Sequence, residues 1–374
     1  MPLYLDNSAT TQVLPEVRDT MIPYLFEEFG NPSSKYYDQA ENAKSAINSA
    51  REQVGALVGC EEREVVFTSG STESNNMIIK GIADYYQNKG NHIITSKAEH
   101  SAVLETCKYL EQQGFEVTYL DVDKYGRISI EELQGVIKEK PPLLVSIIWG
   151  NNETGSLNPI EEIGEVCANY KVFFHTDATQ VIGKLPVDIS TIPGLQFASI
   201  SAHKFHGPKG IGAAIIKRDE LGLPIPLTPL LHGGGQEEGY RSGTHPVHNI
   251  VGLGKAAELA KTNLEQHSTQ LKENEKYLEK VMTTKFGDKI TFNHDGSKKI
   301  PGILSVTFTG VNNELLVKNL APHIAISTGS ACSTSKPSHV LEAMGYSLEH
   351  IRSTIRISLS PFITKDELDI FNSL

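Results

Sequence analysis

Val65-Val66-Phe67-Thr68-Ser69-Gly70-Ser71-Thr72 reads as a short apolar strand that ends in a glycine turn and opens into a helix. The three apolar residues suit a buried strand. Gly70 marks the turn, and a helix is expected from Ser71. The same alternation continues down the chain. Strands are expected at 92–95, 116–120, 143–148, 172–175, 197–200 and 211–216, with helical patterns over 98–112 and 160–169. Strands alternating with helices predict an α/β layer fold built on a mainly parallel sheet.

Past His248 the pattern changes. One long helical pattern runs from there through the charged stretch 263–280, as a helix bridging two domains would. Beyond it, strands are expected at 304–309, 324–327 and 354–359, and helices at 313–320 and 337–344. These suit a compact α+β unit. The expected division is an N-terminal segment 1–14 packing with the small domain, a large domain 15–262 and a small domain 263–374. No internal repeat or low-complexity tract interrupts it.

Composition narrows the function classes. A chain of 374 residues can hold one large domain and a smaller one. Its formal net charge of -11 argues against nonspecific nucleic-acid binding. The longest apolar runs, such as 143–149, are too short to cross a bilayer. Residues 1–11 lack the basic-then-apolar order of an export signal, so a cytoplasmic location is expected. Of the cysteines, Cys60, Cys107 and Cys167 fall in or beside helical patterns and read as small buried apolar residues. No pair is spaced C-x-x-C and no His/Cys cluster has zinc spacing, so neither disulfide nor metal site is expected.

Several residues point to chemistry. Ser201-Ala202-His203-Lys204 precedes a Gly/Pro-rich turn that can hold one amine in place. Such a lysine can form a Schiff base with an aldehyde cofactor; it can also be a surface lysine in a loop. Gly70-Ser71-Thr72 places exposed amides and two hydroxyls at a helix start, which suits a phosphate or ordinary N-capping. Asp177 follows an apolar strand, where α/β folds bind ligands. It can pair with a protonated pyridine nitrogen or cap a helix, and Gln180 can reach the same ligand. His100 opens a helix after Glu99, and can face a ring, move protons or simply cap. Asn151-Asn152-Glu153-Thr154-Gly155 lies at the same edge, as ligand contact or as turn. Cys332 lies among small polar residues between a strand and a helix, a setting for a used thiol. Arg356 can aim a planar fork at a carboxylate or pair across strands.

Taken together, these motifs resemble the cysteine desulfurases of the NifS/IscS-like class, within the fold-type I pyridoxal-phosphate (PLP) enzymes of the class-V aminotransferase family. The resemblance runs from Leu5-Asp6-Asn7-Ser8-Ala9-Thr10-Thr11 almost to the C-terminus. It includes Gly30-Asn31-Pro32-Ser33-Ser34, Glu99-His100, Asp177-Ala178-Thr179-Gln180, Arg241-Ser242-Gly243-Thr244 and Gly329-Ser330-Ala331-Cys332. It implies a PLP-binding large domain and a small domain that carries the catalytic cysteine.

The resemblance also implies roles. Lys204 would carry PLP and serve as the base. Ser71, Thr72, Ser201 and His203 would bind the cofactor phosphate, joined by Thr244 from the other chain of a homodimer. Asp177 would pair with the pyridine nitrogen, Gln180 would contact the ring hydroxyl, and His100 would stack on the ring and assist proton transfer. Asn152, beside the cofactor, and Arg356 would hold the substrate carboxylate. Cys332 would take sulfur from L-cysteine as a persulfide, leaving L-alanine, and pass it to an acceptor protein. Iron-sulfur cluster assembly, tRNA thiolation and DNA phosphorothioation are the implied uses. A selenocysteine lyase or an aminotransferase of the same PLP family is the alternative. Tyr36 stands where the family often has a histidine and is assigned no role.

Overall fold

The structure is a computed structural model that describes residues 2–219, 221–329 and 337–373. In chain order, β1 (Leu3–Tyr4), α1 (Pro15–Met21), α2 (Pro23–Phe26) and α3 (Asp38–Val58) lead into the first strand of the large sheet, β2 (Val65–Thr68). Then come α4 (Ser71–Tyr85), β3 (His92–Ser96), α5 (Ser101–Gln112), β4 (Glu116–Leu120) and α6 (Ile130–Glu139). β5 (Leu144–Ser146), α7 (Ile160–Tyr170), β6 (Phe173–Asp177), β7 (Leu195–Ser201) and β8 (Gly212–Ile216) complete that sheet.

The second part holds α8 (Val247–Thr262), α9 (Leu264–Phe286), β9 (Ile290–Phe292), β10 (Ile303–Phe308), α10 (Asn313–Leu320) and β11 (Ile324–Ala325). It continues with α11 (His339–Ala343), α12 (Leu348–Ile351), β12 (Thr354–Ser358) and α13 (Lys365–Leu368). Among the described residues, no helix is long and apolar enough to cross a membrane.

The large sheet has seven strands in the order β2-β8-β7-β6-β5-β3-β4. Only β8 runs against its neighbours; the other pairings are parallel. The expected α/β fold with a mainly parallel sheet flanked by helices is therefore observed. Both faces of the sheet are covered. Val65 and Phe67 pack into one core with residues of α3, α7 and α8, such as Ile47, Ile163 and Ile250. Val66, between them, packs into the other core with Met77, Ile82 and Val103 of α4 and α5. A strand buried on both faces cannot alternate apolar with polar, which is why Val65-Val66-Phe67 is a continuous apolar run.

A separate apolar core forms around β10 and β12, with Leu271, Leu278 and Met282 of α9 and with Leu5 from the N-terminal segment. There β12, β10 and β9 form an antiparallel sheet, and β1 pairs in parallel with β11.

Three local expectations are corrected. The helical pattern after His248 is two helices, not one. At Asn263 the backbone leaves helical geometry (φ -102°, ψ 10°), and its Nδ2 donates to Leu259 O at 2.9 Å. Asparagine favours such local side-chain bonds over helix continuation. The strand expected at 143–148 is only β5, although Ile147 N and Trp149 N still donate to His175 O and Asp177 O at 3.1 Å each. The strand expected at 172–175 extends further, so Asp177 is its last residue.

Candidate active site

Five segments end at the same edge of the large sheet, because the strands that feed them run in parallel. This is the edge where open α/β sheets bind ligands. A cavity of about 220 Å³ opens there. It is lined by Ser71 and Thr72 after β2, His100 after β3, Asn152 after β5, Asp177 and Gln180 at and after β6, and His203 and Lys204 after β7. Arg356 of β12 closes it from the small sheet.

The α4 end could hold an anion. Ser71 and Thr72 occupy the first helical turn, whose amides have no intrahelical acceptors. Gly70 stands at φ +150°, a conformation that favours glycine. Gly212 of β8 lies so close beneath that a Cβ on it would sit 2.7 Å from Gly70 Cα. Gly212 therefore has no room for a side chain without moving the cradle, while Gly70 is held to glycine by its backbone conformation. Ser201 is buried and does not line the cavity; its Oγ lies 3.4 Å from where a Cβ on Gly70 would stand. Thr244 is exposed and does not line the cavity either.

At the middle of the cavity Asp177 is almost fully buried. Its Oδ2 accepts from Asn75 Nδ2 at 2.8 Å and its Oδ1 from Thr179 N at 3.1 Å. Both bonds fix the orientation of the carboxylate. His100 is the N-cap of α5, and its Nδ1 accepts from Ala102 N at 3.1 Å. Burial pushes its pKa down, with Lys204 and His339 acting in the same sense against Asp177. The neutral ring with Nδ1 accepting carries its proton on Nε2. Glu99, one residue earlier, turns inward and accepts from Ser96 Oγ and Ile148 N. Burial pushes its carboxyl up to about 8, so it ties β3 to the end of β5 as a largely neutral group.

Lys204 ends the short 3₁₀ turn Ala202–Lys204 that follows β7. Its Nζ donates to Ser8 O at 2.6 Å and to Ala9 O at 2.8 Å. His203 Nδ1 meets Thr10 Oγ1 at 3.1 Å. Burial, then Lys204, Lys209 and Lys184, push His203 down to about 4, so its ring is neutral. The N-terminal segment thus braces the lysine turn on one side. On the other it braces β12: Asn7 Nδ2 donates to Ser358 O at 2.9 Å, and Ser8 N donates to Ser358 Oγ at 2.8 Å.

Arg356 is buried. Its Nη2 pairs with Asp6 Oδ1 at 2.8 Å and its Nη1 donates to Asn152 O at 3.0 Å. Among the described residues its buried Nε has no hydrogen-bond partner. The Asn151–Gly155 stretch is both turn and ligand edge. The Asn151 side chain accepts from Glu153 N and Thr154 N, and that turn places Asn152 on the cavity wall.

The described residues bring Ser71, Thr72, His100, Asn152, Asp177, Gln180, His203, Lys204 and Arg356 to one cavity. Cys332 lies outside the described residues. His339 was not picked out in the sequence, and Asp6, Ser8, Ala9 and Glu153 fell within quoted motifs without a role of their own. Asn75 had a signal, because it sits one turn after Ser71 on α4 and so shares its face.

The donor set fits PLP. An anion cradle, a carboxylate fixed by two donors, a neutral ring and a lysine amine line one space. The class-V aminotransferase family model matches residues 3–371. The chain is 46% identical over 371 residues to the cysteine desulfurase IscS of Methanosarcina thermophila, covering 98% of this chain and 89% of that protein. This chain belongs to the cysteine desulfurases. Solved structures agree with that. A NifS-like protein superposes with a TM-score of 0.92 at 36% identity, over 100% of this desulfurase and 98% of that chain. SspA in complex with cysteine superposes at 0.84 and 38% identity, over 97% and 100%. The enzymes of this family use PLP.

Proposed function

We propose that this desulfurase holds PLP on Lys204, takes L-cysteine as substrate, and releases L-alanine after moving the sulfur to Cys332. The observation that supports it most is the meeting of Lys204, Asp177, His100 and Arg356 at one cavity. Bound there, PLP supplies an electron sink that acidifies the substrate Cα–H.

The remaining work falls to the chain's own residues. Ser71, Thr72 and His203 hold the phosphate end. Asp177, held in place by Asn75 and Thr179, would pair with the ring nitrogen. The Lys204 amine, steered by the Ser8 and Ala9 carbonyls, takes the Cα proton and returns it. The neutral His100 can exchange a proton with the sulfur groups through Nε2. Arg356 and Asn152 orient the substrate carboxylate, and the Arg356 Nε, without a partner among the described residues, is a donor available for it.

The overall step balances without an outside oxidant. The substrate C–S bond breaks, an S–S bond forms at Cys332, and the products are alanine and a Cys332 persulfide. A persulfide is electrophilic at its outer sulfur, so a thiolate can take it up, and a thiol on a second protein is the acceptor this reading expects. Thr244, exposed and outside the cavity in one chain, fits a homodimer in which it completes the phosphate site of its partner.

The test is alanine formation from L-cysteine by the PLP-loaded protein with a thiol acceptor. The parent is expected to turn over, and Lys204→Ala to lose about 10²–10⁴-fold in rate. A Lys204→Ala variant with parental turnover, or a parent that only exchanges amino groups with a keto acid, contradicts the proposal.

A further inference from the structure

Behind Gln180 lies a buried lysine that the reaction does not use. Lys184 is 8% exposed. Its Nζ donates to Gln180 O at 3.1 Å and to Gln180 Oε1 at 3.0 Å. Gln180 Nε2 in turn donates to Ser8 O at 3.0 Å, the carbonyl that also receives Lys204 Nζ. Among the described residues, Lys184 forms no ion pair with a carboxylate. The charged and titratable groups around it are Lys204 after β7, Arg356 on β12, and His203 and His206 on the lysine turn. None is an anion. Burial, then Lys204 and Arg356, push its pKa down to about 7. A buried amine without a counter-ion is an expensive group to keep, and such groups concentrate at functional sites.

An amide is nearly symmetric in shape, so its orientation is decided by what faces each end. Lys184 Nζ donates to Oε1 at 3.0 Å and to Gln180 O at 3.1 Å, and with its donors turned to these two oxygens it faces Oε1 rather than Nε2. A backbone carbonyl is an acceptor only, and it can face only Nε2. We propose that Lys184 is a positioning residue for the cofactor site: it locks the Gln180 amide so that Gln180 offers the cavity an N–H and never an oxygen. The group this selects is a hydrogen-bond acceptor on the bound ring, such as a ring oxygen that carries negative charge. The inference rests on the PLP reading of the cavity.

The test is a double-mutant cycle on cofactor affinity, read by titrating apo-protein with PLP and following absorbance. No turnover is involved. Lys184→Met and Gln180→Ala are each expected to weaken PLP binding about tenfold, the loss of one hydrogen bond to a charged acceptor. The double variant is expected to bind no more weakly than Gln180→Ala alone, because the lysine acts only through that amide. Lys184→Arg, which keeps a donor-only group toward Oε1, is expected to recover most of the loss, and it carries the same cycle if Lys184→Met does not fold. Parental affinity in Lys184→Met, or losses that multiply in the double variant, overturn the proposal. A parent that binds no PLP overturns the cofactor reading itself, and the proposal with it; that outcome is distinct from a cycle without coupling.

Discussion

Glu237 and Glu238 both take left-handed backbone conformations, at φ +52° and +54°, which non-glycine residues adopt only when their surroundings impose it. The imposition is visible at Glu237. Both terminal nitrogens of Arg51 donate to its carboxylate at 2.8 and 2.7 Å. Phe67 N donates at 2.7 Å, and His245 Nε2 lies at 2.6 Å. Burial alone would raise the carboxyl pKa, but the bonds from Arg51, His245 and Phe67 outweigh it and hold Glu237 at about 2. A carboxylate lowered on folding stabilises the protein above its unfolded pKa, and that stability is lost as pH falls toward the folded value. Glu237→Gln is therefore expected to cost about 2–4 kcal/mol at neutral pH. The gap to the parent should close between about pH 4.5 and 2, as read from thermal midpoints. A gap independent of pH would count against the clamp. The sequence showed Arg51 and Glu237 only as two charges far apart, and nothing local marks such a pair. By contrast, Asp177 and Lys204 were legible because each sits where a strand gives way to a turn.

At the scale of elements, the N-terminal segment acts as a strap between two sheets. Leu5 N donates to Ala325 O, Asn7 N to Ser358 O and Thr11 N to His203 O. The strap brings Asp6 to Arg356 on β12 and the Ser8 carbonyl to Lys204. Asp6→Ala leaves the Arg356 guanidinium buried without its carboxylate, and is expected to lower stability by about 2–4 kcal/mol. The expected signature is a lower denaturant midpoint with an unchanged slope. An unchanged midpoint would show that the pair does not hold the strap. Most strands were readable from their apolar runs, since burial on both faces leaves few polar interruptions. The break at Asn263 was missed because the apolar pattern continues across it; the asparagine itself was the available signal. The strap was quoted as a motif, but its bracing role depends on which strands fold up beside it.

At the scale of the whole molecule, the cavity gathers side chains from positions as distant as Ser71 and Arg356. Periodicity places each at a strand end or helix start, and the parallel sheet then brings those ends to one edge. The resemblance to the desulfurases went further than spacing could, since it alone linked Lys204 to Cys332. Cys107 and Cys167 are buried, and burial pushes each thiol up to about 12. Cys60 is pushed up as well, by burial first. None of these three lines the cavity, so none is a competing nucleophile. The most direct test is the mass of the Cys332 peptide after the PLP-loaded protein has met L-cysteine without an acceptor. The account predicts the added mass of one sulfur atom on that peptide, with alanine formed in equal amount. Alanine formed while the Cys332 peptide stays unchanged, or sulfur found instead on Cys60, Cys107 or Cys167, would contradict it.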